Sequence, residues 1–181
     1  QYGADVLRTY ILFMGDYGAA APWSESSIKG CKRFLDRVMN LVDIVKGEGV
    51  TPELEKPMHK LIKKVTADIE EFSYNTSISA FMVAINELTA QKCRSREVMT
   101  QIVALLAPFA PHMAEELWEA LGQEGSVCDA QWPAFDEKYL VESSVQLGVQ
   151  FNGKVRFDIK PNKLFLFRKD SGERIFFEAE V

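Results

Sequence analysis

Residues able to do covalent or acid–base chemistry are few in this chain, and none stands in a spacing that a reaction needs. Histidine occurs only at His59 and His112. His112 opens the run His112-Met113-Ala114-Glu115-Glu116, in which the imidazole and both carboxylates share one side of a helical turn. A zinc motif of that length requires a second histidine at the right step, and it is missing, so no metal ligand set is expected. His112 and Glu115 read instead as the start of a helix after Pro111, with carboxylates where the helix dipole favours them. No serine lies in G-x-S-x-G, no glycine-rich phosphate loop occurs, and Cys31, Cys93 and Cys128 form neither a Cys-x-x-Cys pair nor a Cys–His arrangement. No catalytic residue and no cofactor or metal ligand is therefore expected in this stretch.

The residues whose spacing does suggest a task are cationic. Lys29, Arg33 and Arg37 recur at steps of four, a rise of about 6 Å per step along a helix, so that several could meet neighbouring phosphates of one polyanion. Lys60, Lys63 and Lys64, with Lys56, form a second strip, and Lys92, Arg94 and Arg96 gather on a polar connection. Few aromatic residues accompany these strips, so contact with folded RNA by shape and phosphate is the form expected, rather than base stacking. The alternative is an ordinary solvated face, which spacing alone leaves open. A net charge of −5 argues against an unspecific basic binder of nucleic acid but permits a local strip.

The cations must be held by helices. From Trp23 to Gly47 the apolar residues Ile28, Cys31, Leu35, Val38, Val42 and Val45 recur at alternating steps of three and four, with Lys29, Arg33 and Arg37 on the opposite side. Ser24 is the expected cap, Glu25 suits the first turn, and Lys46-Gly47 supplies a cation and a left-handed terminator. A first helix over Tyr2–Gly15 carries Val6, Tyr10, Phe13 and Met14 inward, and its Asp5 and Arg8 read as a surface pair worth about 0.2–0.5 kcal/mol. Further helices begin at Pro52 or Pro57, after a cap at Asn75, and after a cap at Ser95. A last one follows an elbow at Pro108 and Pro111 and runs to Gly122. Each shows one oily stripe and none is oily all round, so antiparallel neighbours must cover one another in a bundle.

After Trp132-Pro133 the period changes to two. Val145, Leu147, Val149 and Phe151 alternate, Asn152-Gly153 signals a tight hairpin turn, and Val155, Phe157 and Ile159 continue. A second hairpin is expected around a turn at Asp170–Gly172. The expected fold is therefore mainly α: an antiparallel helical bundle over residues 1–126, a linker over 127–143, and a small C-terminal β-hairpin appendage over 144–181. No run approaches the length of a membrane span, and the odd cysteine count suits a reducing cytoplasm. The chain opens on Gln1 in what reads as mid-helix sequence, and so is expected to be a piece of a longer protein.

Taken in order, YGADVLRTYILFMG, PWSESSIKGCKRFLDRVMNLV, HKLIKKVTADIEEFSYNTSISAFMVAINEL, LAPFAPHMAEELWEALG, AQWPAFDEKYL and VQFNGKVR resemble the C-terminal region of bacterial leucyl-tRNA synthetases. The first and fourth blocks are shared with the valyl, isoleucyl and methionyl enzymes. Trp23, Gly30, Arg33, Phe34 and Leu35, the block around HKLIKKVTADIEEF, and NGKVR are the discriminating ones. The resemblance implies a class I anticodon-binding-type helical domain that positions leucine tRNA for a catalytic domain upstream. The whole protein would be a ligase using ATP, with Mg, to activate leucine. Candidate tRNA contacts are Lys29, Arg33, Arg37, Lys60, Lys63, Lys64, Lys92, Arg94 and Arg96. After NGKVR the family pattern runs strand, polar helix, strands, whereas FDIKPNKLFLFRKDSGERIFFEAEV has no helix and ends early. Two alternatives stay open: the same domain of a valyl, isoleucyl or methionyl enzyme, and a helical interaction module without tRNA.

Overall fold

A computed structural model describes residues 2–15, 22–47 and 49–140, and the backbone of 147–151, 154–159, 166–167 and 174–175. Six helices account for most of the described chain: α1 Ala4–Phe13, α2 Glu25–Asp43, α3 Pro52–Glu70, α4 Tyr74–Ala90, α5 Arg96–Leu106 and α6 Pro111–Ala120. The protein is mainly helical, as its stripes of apolar residues require. Val38, Ile62, Val65, Ile78, Phe81, Leu88, Ile102 and Leu106 are sealed from solvent in one continuous core. Each such side chain gains about 1.5–3 kcal/mol on burial, mostly offset by the entropy of ordering it.

Helix ends show where local signals decided and where they did not. Ser24 caps α2 by accepting the Ser27 N–H at 3.3 Å, and Ser95 caps α5 by accepting that of Val98 at 3.3 Å. The earlier of the two starts of α3 is used: Pro52 occupies the first turn, and Pro57 lies buried within the helix. Asn75 does not cap α4, which starts one residue before it. Phe72 closes α3 in the left-handed region at φ 57°, leaving a turn too short for an Asn75 cap. Gly47 is not a left-handed terminator either. It runs parallel to Ser95 in a bridge, with the Gly47 N–H donating to the Arg94 carbonyl at 3.3 Å and the Arg96 N–H to the Gly47 carbonyl at 2.9 Å. The α2–α3 and α4–α5 connections are thereby tied at one end of the bundle.

Asp5 is not a surface residue. Its side chain is 11% exposed, and it accepts the Met113 N–H at 2.8 Å, capping α6 from α1. Arg8 donates to it at 2.8 Å and His112 Nδ1 lies 2.9 Å away.

The chain divides into a unit ending at Leu140 and a second from Val141. Residues 127–140, expected as linker, lie in the first unit as a strap containing two short 3-10 turns, Val127–Asp129 and Glu137–Tyr139. In the second unit the described backbone pairs β1 (Leu147–Phe151) antiparallel with β2 (Lys154–Ile159), and β3 (Leu166–Phe167) with β4 (Arg174–Ile175). The expected turns at Asn152-Gly153 and Asp170–Gly172 lie outside the described residues.

Candidate nucleic-acid interface

The cationic residues sort by whether a carboxylate answers them. On α2, Lys29 lies 3.9 Å from Glu25 one turn earlier, both exposed. Arg33 and Arg37 are exposed and meet no carboxylate among the described residues. The Arg37 guanidinium donates to Asn86 Oδ1 on α4 at 2.6 Å, a neutral partner that fixes its direction without cancelling its charge. Both arginines line a cleft of about 370 Å³ between α2 and α4, with Phe13, Ser27, Gly30 and Met82 among its other walls. Asn86 stands 49 positions from Arg37, and nothing local in the sequence marks the pair.

On α3, Lys60 is exposed with no ion pair among the described residues. Lys63 is partly answered by the strap, 3.4 Å from Glu137 and 5.4 Å from the centre of the Phe135 ring. Lys64 donates at 2.6 Å to Asp68, a buried carboxylate that also accepts from Thr76 at 2.7 Å and Ser77 at 3.4 Å, so that it locks the α3–α4 turn. At the far end, Lys92 and Arg94 are exposed beside a cleft of about 460 Å³ lined by Gly47, Thr51, Gln91 and Ser95.

Arg96 leaves this group. It is half-buried and donates to the Leu121 carbonyl at 2.6 Å, holding the end of α6. Gly122, at φ 73°, makes room for it: a Cβ there would stand 3.2 Å from Arg96 Nη1. Its place in the sequence cluster beside Lys92 and Arg94 gave no sign of this inward turn.

The strap also covers α3. Trp132 Nε1 donates to Thr66 Oγ1 at 2.9 Å, and the Tyr139 ring stacks on His59 with centroids 4.5 Å apart. His59 Nδ1 accepts the Asp136 N–H at 3.2 Å, which requires a neutral ring nitrogen there. Burial is the main cause that holds the His59 pKa below its ordinary value, against the pull of Asp136 and Glu55. Glu115, in the run His112-Met113-Ala114-Glu115-Glu116, is also held by the strap. It accepts from the Ser126 hydroxyl and from the Val127 N–H at 3.1 Å, and these bonds lower its pKa. Among the described residues no group of three or more His, Cys, Asp or Glu side chains is placed to hold a metal.

The α-helical bundle carries exposed, unneutralised arginines beside a cleft, and sequence comparison supplies its family. Residues 53–164, more than half the chain, match the family described as the anticodon-binding domain of tRNA ligase, and the chain belongs to that family. Its relatives include leucine–tRNA ligases. That of Phocaeicola vulgatus is 57% identical over 87% of this chain and 17% of its own length, and that of Bacteroides thetaiotaomicron 50% identical over 88% and 18%. Among solved structures, the agnB2 LeuRS of Agrobacterium radiobacter K84, in a ternary LeuRS-tRNA-LeuAMS complex, superposes with a TM-score of 0.70 at 31% identity. The match covers 88% of this chain and 23% of that one. The chain thus spans less than a fifth of the length of these curated relatives. The described residues include no helix long and apolar enough to cross a membrane.

Proposed function

We propose that this chain is the tRNA-binding helical domain of a leucine–tRNA ligase, which holds leucine tRNA so that its acceptor end reaches a catalytic domain elsewhere in the whole protein. The observation that carries this reading is that five of the candidate cations, Arg33, Arg37, Lys60, Lys92 and Arg94, are exposed without carboxylate partners among the described residues, on a chain of net charge −5. Exposed and unpaired on an acidic chain, such cations make a local positive field that would draw an anion. Lys29 and Lys63 contribute after exchanging weak surface carboxylate contacts for phosphate, Lys64 contributes while keeping its bond to the buried Asp68, and Arg96 acts as a strut behind them.

The whole protein would activate leucine with ATP and Mg and then esterify the tRNA; this chain would do neither. Its work would be cytoplasmic, where the free thiols of Cys31, Cys93 and Cys128 stay reduced. The segment from Val141 would be a small β-rich appendage, and the bundle with its strap the tRNA-contacting body.

The test is filter binding of a leucine tRNA transcript to the chain across a salt series. Five phosphate contacts predict that log K falls against log salt with a slope of about −3.5 to −4.5. Charge reversal of Arg33 and Arg37 should reduce that slope by about 2. Binding indifferent to salt would refute the reading.

A further inference from the structure

The cleft between α2 and α4 contains a residue that nothing among the described residues explains. Gly30 stands in the interior of α2, where glycine is among the least favourable choices. A helix interior tolerates it most readily where a methyl group would strike a packed neighbour. Here a Cβ added at Gly30 would meet no atom of the described residues within 4 Å, and the backbone is ordinarily helical. The position is half-exposed at the edge of the cleft instead. Its neighbours on the helix surface are Ser27, Arg33, Phe34 and Arg37, which share the lining of the 370 Å³ cleft with Met82 and Asn86 of α4.

We infer that Gly30 is the point of closest approach for a ribose–phosphate strand of RNA, which passes over the bare helix backbone with a phosphate held by the Arg33 and Arg37 guanidinium groups. The inference rests on the tRNA-binding reading above and sharpens it to one seat and one mode. Three observations favour backbone over base. Phe34 and Ile85, which floor the cleft, are 4% and 1% exposed, and Phe13 at its edge is half-buried, so the floor beside the two arginines offers no open face for a base to stack on. The two arginines stand one helical turn apart and are free of carboxylates among the described residues, and planar guanidinium forks suit phosphate oxygens. Asn86 orients Arg37 at 2.6 Å without neutralising it, which leaves the guanidinium its full charge toward an incoming anion.

The arrangement makes stability and binding respond in opposite directions, which a packing role for Gly30 could not produce. The chain carrying Gly30→Ala, and separately Gly30→Leu, would be compared with the unchanged chain by thermal unfolding and by filter binding of leucine tRNA at low salt. Gly30→Ala should raise the unfolding midpoint by roughly 2–4 °C. It should also weaken tRNA binding by about threefold, and Gly30→Leu by about tenfold or more, at an unchanged salt slope. Binding within twofold of the unchanged chain for both variants would overturn the inference and leave the tRNA reading intact. A lowered midpoint for Gly30→Ala would also overturn it, because the glycine would then serve the fold. Absence of salt-sensitive tRNA binding by the unchanged chain would remove the tRNA reading and this inference together. Displacement of tRNA by a polyglutamate peptide at equal charge, with Gly30→Leu weakening the peptide as strongly, would assign the seat to an acidic protein segment and refute the RNA assignment.

Discussion

Asp5→Ala separates two views of one residue. Read from its neighbours in sequence, Asp5 pairs with Arg8 on the surface, and its loss should cost about 0.2–0.5 kcal/mol. In the fold, one carboxylate oxygen accepts the Met113 N–H at 2.8 Å while the other lies 2.8 Å from Arg8 and 2.9 Å from His112. Losing a helix cap costs about 0.5–2 kcal/mol, and here the acceptor is charged and mostly buried, which puts the cap near the upper end. Arg8 is 41% exposed, so its share is discounted for solvent to a few tenths of a kcal/mol. The sum is about 2–3 kcal/mol, equivalent to a fall of roughly 4–12 °C in the unfolding midpoint. Urea denaturation followed by far-UV circular dichroism would measure it. Asp5→Asn retains one acceptor for Met113 but turns an amide N–H₂ toward Arg8, and should lose about half as much. The two variants together identify the cap. A loss below about 0.5 kcal/mol for Asp5→Ala would refute the tether between α1 and α6 and restore the surface pair.

Two further outcomes follow from titratable groups. Because burial lowers the His59 pKa in the folded chain, the unfolded chain binds more protons around and below pH 6.5, and stability rises with pH there. The His59 contribution should be complete above that range and fade as pH falls through it; His59→Gln should flatten this limb of a stability–pH curve, and an unchanged limb would show that His59 does not hold the strap. Burial pushes the Cys31 thiol up to about 11 and raises that of Cys93, while Cys128 is exposed. Iodoacetamide at pH 8 should therefore modify Cys128 of the native chain first and spare the other two until unfolding, as peptide mass mapping would reveal.

Much of the helical body was legible because its signals are local. The stripe through Ile28, Cys31, Leu35, Val38 and Val42 lies within one helix, and all five residues are buried. Ser24 and Ser95 bond amides three residues away, within reach of any local reading. What stayed hidden required two distant segments to meet. Gly47 looked like a terminator until Ser95 offered a bridge, whereas the misplaced cap at Asn75 was local, since the turn at Phe72 starts α4 at Tyr74, one residue before it. Trp132, Phe135 and Tyr139 looked like linker because the residues they cover, Thr66, Lys63 and His59, occupy one face of α3 and belong to another stretch of chain.

The same distinction governs how a basic strip should be read. Charge type and exposure follow from helical period, but whether a cation remains available depends on acceptors that the period does not display. Glu25 with Lys29 and Lys64 with Asp68 are spaced four apart and could be seen from the sequence. Glu137 against Lys63 and the Leu121 carbonyl against Arg96 could not. Their removal from the free set leaves Arg33 and Arg37 as a pair in one cleft, Lys92 with Arg94 beside another, and Lys60 alone on α3. An anion that used all the charges equally would have no reason to prefer either cleft. One that is held at a fixed angle needs cations whose directions are set, and Arg37, braced by Asn86, is the one for which the described residues provide a neutral side-chain brace. Orientation of a bound tRNA should therefore depend more on the α2–α4 cleft than on the lysines of α3, even where the lysines add as much to affinity.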